Sequence, residues 1–169
     1  MRRIAAAISA VLLLTLSLVF TEAGVSRAAA PPVTPVLMHI RFAHAASARV
    51  DIVTFVFRPS APKDVRAEYV PRSGLIQDGS GNRVFVLGRS FVKVTFHNSA
   101  AHNIEGRPTA PRNLFPLGRT TNVVHVKQGG DFEGVVTYYL GLCGRRPAPP
   151  AHPTVSSVGR DVILSIPTR

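Results

Sequence analysis

From residue 36 onward, apolar and polar residues alternate with a period of two along most of the chain. That period sends successive side chains to opposite faces of an extended strand. It predicts strands over residues 36–44 (VLMHIRFAH), 48–57 (ARVDIVTFVF), 64–70 (DVRAEYV), 90–98 (SFVKVTFHN) and 120–127 (TTNVVHVK). Residues 74–77 and 83–88 flank Asp78-Gly79-Ser80-Gly81-Asn82, a glycine-rich hairpin signal. Residues 155–158 and 160–167 predict the last two strands. No segment sustains a 3.6-residue period, which argues against α/β architecture. The fold class expected is all-β: an antiparallel β-sandwich of about eight or nine short strands.

The stretch GGDFEGVVTYYLGL, Gly129 to Leu142, reads as one long strand that bends at a glycine and serves two sheets. Phe132, Val136, Tyr138, Leu140 and Leu142 form its expected core face. Asp131, Glu133, Val135, Thr137 and Tyr139 form the expected wet face. Gly134 then falls on the inward side, where it marks a bulge or a close backbone approach.

The first thirty residues do not fit this pattern. Arg2 and Arg3 precede the apolar run Ile4–Phe20, and small residues follow through Ala30. This is the layout of a secretory signal peptide with cleavage after Ala28. The expected organisation is a signal peptide at 1–28, a Pro-rich linker at 29–37 and one β-sandwich domain at 38–168. No stable membrane span is expected after cleavage, and the localisation expected is secreted or cell-envelope associated.

Charge narrows the partner. Without Arg2, Arg3, Arg27 and Glu22, the chain's 20 basic and 9 acidic residues become 17 and 8, a formal charge of +9. Such an excess favours an anionic partner. An exported protein meets wall polymers and lipid headgroups first, so nucleic acid is not the expected partner. Cys143 is the only cysteine, which rules out an internal disulfide.

Candidate chemistry collects in the long interruption at 97–119 and in the stiff Pro-rich segment 143–154. The first carries His97, His102, Glu105, Arg107, Arg112 and Arg119. The second carries Arg145 and Arg146. Guanidinium forks suit carboxylates and phosphates, so Arg107, Arg112, Arg119, Arg145 and Arg146, with His102, are the expected ligand-binding residues. His97, His102 and Glu105 make a weak candidate zinc set, because they lack the helical spacing of known zinc motifs. Asp131 and Glu133, two apart on one strand, would have Cα atoms ~6.6 Å apart, within the ~5–9.5 Å carboxyl range of glycosidases. The plainer expectation is that both acids face water or the 97–119 loop, with Arg107 and Arg112 as partners. No G-x-S-x-G, phosphate loop or cofactor motif is present.

Several pieces together resemble a known family. They are Ile40-Arg41-Phe42-Ala43-His44, Val94-Thr95-Phe96, Ala100-Ala101-His102-Asn103, Gly106-Arg107-Pro108-Thr109, and Asp131-Phe132-Glu133-Gly134 through Leu142. They resemble the AMIN-like domain of exported proteins from high-GC Gram-positive bacteria, over roughly residues 38–168. Cys143 and the Tyr138-Tyr139 step depart from the usual pattern. The related AMIN domain of cell-wall amidases and secretins is a β-sandwich that targets its partners to the envelope without being catalytic. The resemblance therefore implies a non-catalytic exported module that recognises an anionic wall component, peptidoglycan or an associated polymer, or else an envelope protein. The alternatives are a metal-dependent or carboxylate-pair hydrolase acting on wall polymers, and a structural assembly partner that uses a sheet edge.

Overall fold

The computed structural model describes residues 33–144 and 152–168. The expected signal peptide at 1–28, the first part of the linker, Arg145 and Arg146 lie outside the described residues. Among the described residues nine strands form: β1 (Val36–Ala45), β2 (Val50–Arg58), β3 (Val65–Val70), β4 (Ser90–His97), β5 (Asn113–Leu114), β6 (Val123–Phe132), β7 (Val135–Leu142), β8 (Thr154–Val158) and β9 (Asp161–Pro167). One 3-10 turn, Arg72–Gly74, is the only helical element among the described residues. The strands make a four-stranded sheet in the order β1-β2-β9-β8 and a five-stranded sheet in the order β3-β4-β7-β6-β5. Every paired strand is antiparallel. Residues 32–169 are one compact unit. The β-sandwich expected from the alternation is the fold observed.

The alternating apolar residues meet between the sheets. Val53, Phe55 and Phe57 of β2 and Val162, Leu164 and Ile166 of β9 face Val92, Val94 and Phe96 of β4 and Val136, Tyr138 and Leu140 of β7. All are fully buried. Phe96 is the hub, with its ring 4.9 Å from Phe55 and 5.1 Å from Phe57. Such tilted aromatic contacts add to the burial of large apolar area. Leu37, assigned to the linker from sequence, is fully buried in this core, so the domain begins earlier than residue 38.

Three expectations are corrected. The stretch 129–142 is not one strand but the β6–β7 hairpin. Glu133 and Gly134 have φ of 50° and 75° and form its two-residue turn. Two successive positive φ values are the signature of the tight turn that matches strand twist. Phe132 is therefore not core: it lies at the hairpin tip and is 53% exposed. The turn also resets the parity, because directly paired residues share a face. Asp131 pairs with Val136 and so joins the inward side.

The expected wet face of β7 is also covered. Tyr139 is fully buried with Leu75, Val86 and Phe91 in a second, smaller cluster. The 72–89 segment lies over this face, held by Tyr139, whose hydroxyl donates to the Ile76 carbonyl at 2.7 Å. The two strands expected at 74–77 and 83–88 reduce to a single bridge, Ile76 to Arg83.

A groove built by the 97–119 loop

The long interruption is clamped on all sides. Its Ala100 N–H donates to the Pro35 carbonyl, and its carbonyl accepts from Leu37 N–H at 2.8 Å. The Thr109 hydroxyl donates to the Leu37 carbonyl at 2.7 Å. Farther along, the Tyr138 hydroxyl donates to the Pro111 carbonyl at 2.9 Å. Asn113–Leu114 then joins β6 as the edge strand β5. Burial pushes the Tyr138 phenol well above its ordinary pKa; the nearby Asp131 carboxylate adds to this, while the Arg112 guanidinium opposes it. The tip is a local turn: Asn103 Oδ1 accepts from the N–H groups of Glu105 and Arg107 at 3.1 and 2.9 Å. Asparagine favours such turns because its side chain replaces a backbone acceptor.

Asp131 holds the middle of the loop. One carboxylate oxygen accepts from Ala101 N–H at 3.1 Å, and the other meets His102 Nδ1 at 2.7 Å. The acid's side chain is 10% exposed. With Nδ1 committed to Asp131, the imidazole is held in one orientation, the arrangement by which a carboxylate fixes a histidine. Asp131 anchors the loop instead of solvating a wet face, and its partner is His102 rather than Arg107 or Arg112. Asp131→Asn is expected to lower stability by about 1–3 kcal/mol, the cost of leaving a half-buried donor unmatched. Thermal or urea melting of the variant measures it.

So held, the loop walls an open groove of about 1230 Å³. Val36 and Met38 of β1, Pro59 after β2 and Ala100 make its apolar lining. Arg58, Arg160, His102, Asn103 and Glu105 supply polar groups. Ile104 stands at the tip, fully exposed. A second hollow of about 720 Å³ shares Val33, Thr34 and Pro59 with the first and reaches Lys63, Asp64 and His97. An apolar cleft with a few converging polar groups is the usual form of a ligand site.

The sequence of this sandwich, groove and hairpin has a known relation. Residues 35–150 match the family model of the AMIN-like domain. The chain belongs to the AMIN-like family. No curated protein and no solved structure matches it. The matched span of this AMIN-like domain includes the whole 97–119 loop and the Asp131 hairpin that anchors it.

The structure disperses the arginines singled out from sequence. Arg107 is exposed beside the groove tip, with its backbone N–H in the Asn103 turn. Arg112 lies near Tyr138, and its carbonyl accepts from Gln128 N–H. Arg119 is exposed in a turn after Pro116, away from the groove lining. Among the described residues the ion pairs are Arg41–Asp161, His44–Asp51, Arg66–Asp64 and His102–Asp131. Neither Arg107 nor Arg112 pairs with Asp131 or Glu133. His97 and His102 line different hollows, and no three His, Cys, Asp or Glu among the described residues come together as a metal set. Glu133 sits in the turn, so the two acids are not neighbours on one strand face and the supposed carboxylate pair is dissolved.

Arg58 and Arg160 reach the groove only because β2 and β9 are neighbours, and no sequence pattern marks them. His125 is likewise unmarked in the sequence. This imidazole takes Leu87 N–H on Nδ1 at 2.9 Å, meets Asn113 Oδ1 through Nε2 at 2.6 Å and stacks on Phe115 at 4.5 Å. Burial, then the charge of Lys127, holds it below the ordinary imidazole range. It is thus neutral with its proton on Nε2, and it ties the 72–89 cover to β5 and β6.

Proposed function

We propose that this AMIN-like domain is a non-catalytic binding module of the cell envelope and that its groove takes an anionic wall component, peptidoglycan or a polymer attached to it. One observation carries the reading: the loop with the family's Ala-Ala-His-Asn and Gly-Arg-Pro-Thr motifs is braced by Asp131 into the wall of a groove of about 1230 Å³. A rigid, preformed site lowers the ordering cost of binding. The apolar lining suits the faces of sugar rings or the stems of peptides. Arg58 and Arg160, with Arg107 beside the tip, suit carboxylates and phosphates. The chain's basic balance and the signal-like segment at 1–28 support an exported protein meeting such polymers. Among the described residues no helix is long and apolar enough to cross a membrane.

A hydrolase reading has one observation in its favour, the His102–Asp131 dyad at the groove wall. The groove lining offers no serine or cysteine to complete a nucleophilic site.

Co-sedimentation with isolated cell wall tests the proposal. The protein should pellet with the wall at low salt. It should be released toward 1 M salt, where screening shortens from ~10 to ~3 Å. The double variant Arg58→Glu, Arg160→Glu should bind at least about tenfold more weakly, a loss of about 1.4 kcal/mol. Glu133→Gln should bind normally. Unchanged binding by the double variant would remove the groove from the account. Soluble wall fragments released by the wild type but not by His102→Ala would favour the hydrolase.

A further inference from the structure

The five-stranded sheet carries a second concavity that neither the groove nor the family motifs include. In the β3–β4 ladder Val65 pairs with Phe96 near the second hollow of the groove region, while Val70 pairs with Phe91 at the far end. Those ends are five residues, about 17 Å, apart. At the far end lies a hollow of about 350 Å³ lined by Tyr69, Arg72, Arg89, Ser90 and Phe91 with their neighbours. Two guanidinium groups and no carboxylate line it. Among the described residues neither arginine takes part in an ion pair.

Arg72 is held in place before any ligand arrives. Its guanidinium lies over the Phe91 ring at 4.7 Å and donates one N–H to the Gly88 carbonyl at 2.9 Å. A guanidinium has five N–H donors in a fixed plane, so this anchoring leaves others for a second acceptor. Gly88 is itself fixed: its φ is 143°, and an added Cβ would stand 2.7 Å from the Leu142 backbone nitrogen. The next residue, Arg89, donates its backbone N–H to the Leu142 carbonyl at 2.7 Å. Arg89 therefore rises from backbone locked to β7, and Arg72 is tied to the same backbone through its side-chain bond to Gly88. Uncompensated positive charge at such a held concavity attracts anions.

We propose that this hollow is an oxyanion-binding site, taking a carboxylate or phosphate group of an anionic polymer between Arg72 and Arg89. The site is independent of the groove. It gives the domain a second point of attachment on the same kind of ligand, and two linked contacts strengthen binding well beyond either alone.

The test uses soluble probes, so that its outcome does not depend on wall binding by the groove. Glycerol phosphate and a short peptide with a free C-terminal carboxylate are titrated separately at constant ionic strength, and backbone amide and arginine Nε–Hε resonances are followed. Saturable shifts confined to residues 69–72 and 88–91 are expected with at least one probe. Response to glycerol phosphate alone assigns a phosphate-bearing polymer as the source, and response to the peptide alone assigns a wall peptide. Arg89→Gln, whose side chain makes no intramolecular hydrogen bond among the described residues, should weaken binding at least about tenfold. Arg72→Lys, which keeps the charge but loses the fork, should weaken it too. Absence of saturable shifts with both probes, or shifts that persist in Arg89→Gln, would overturn the site.

Discussion

Asp51→Ala is expected to lower folding stability by about 3–5 kcal/mol, the cost of stripping a buried charge from its partners, as measured by urea or guanidinium unfolding. Asp51 is fully buried in β2, on the same inward side as Val53, Phe55 and Phe57. Its carboxylate accepts from Asn122 N–H at 2.6 Å, Val123 N–H at 2.8 Å and Thr121 N–H at 3.0 Å, and meets His44 Nδ1 at 2.9 Å. Residues 121–123 lead into β6 of the other sheet. One side chain thus ties the two layers together and satisfies three backbone donors that the turn into β6 would otherwise leave bare. Removing it strands those donors, each of which costs about 1–3 kcal/mol when buried and unmatched.

The same contacts set a pH dependence. Burial alone pushes the Asp51 carboxyl up, but the N–H groups of Thr121, Val123 and Asn122, together with His44, more than offset it, and the folded pKa lies below the ordinary 3.8. A depressed folded pKa means that the unfolded chain binds the proton more readily. The stabilisation is then complete above about pH 4–5 and is lost as pH falls through the folded value. Below pH 4 the stability of the wild type should fall toward that of Asp51→Ala, and a constant gap between them down to pH 2 would contradict the assignment.

Phe96→Ala should also cost about 3–5 kcal/mol, the usual range for deleting a buried aromatic side chain. Its ring joins Phe55 and Phe57 of the opposite sheet, so the cavity opens where the layers meet. Phe132→Ala is the informative contrast. Strict alternation through 129–142 would give it a similar cost, but at the hairpin tip, half exposed, it should lose less than about 1 kcal/mol. Denaturation of the two variants side by side separates the hairpin from the single long strand.

That contrast also marks where the chain's pattern could be read and where it misled. Alternation located β1, β2, β3, β4, β8 and β9 to within a few residues and the first half of β6, most clearly where one face is buried, as in β2, β4 and β9. It failed at Glu133-Gly134, because period two runs unbroken through Asp131, Phe132 and Val136 only if no turn intervenes. Glu-Gly is a weaker turn signal than Asn-Gly or Asp-Gly, so Gly134 reads as a bulge within one strand rather than as half of a turn. Asp131 then changed faces, from a wet acid to the loop's anchor. Asp51 left a readable mark, a carboxylate at an inward parity position of an otherwise apolar strand. The groove left none. Met38, Arg58, His102 and Arg160 lie far apart in sequence, and only the order β1-β2-β9 and the clamped loop bring them together. Tyr139 was misplaced for a related reason: the 72–89 cover is irregular, and periodicity does not say that a sheet's second face will be capped.

The most direct measurement is an amide chemical-shift map of the protein during titration with soluble peptidoglycan fragments. Binding by the groove predicts that the perturbed residues cluster at Val36–Met38, Arg58, Ala100–Arg107, Thr109 and Arg160, with intact fragments recovered afterwards. Shifts that leave those residues untouched, or fragments recovered in cleaved form, would contradict a non-catalytic wall-binding groove.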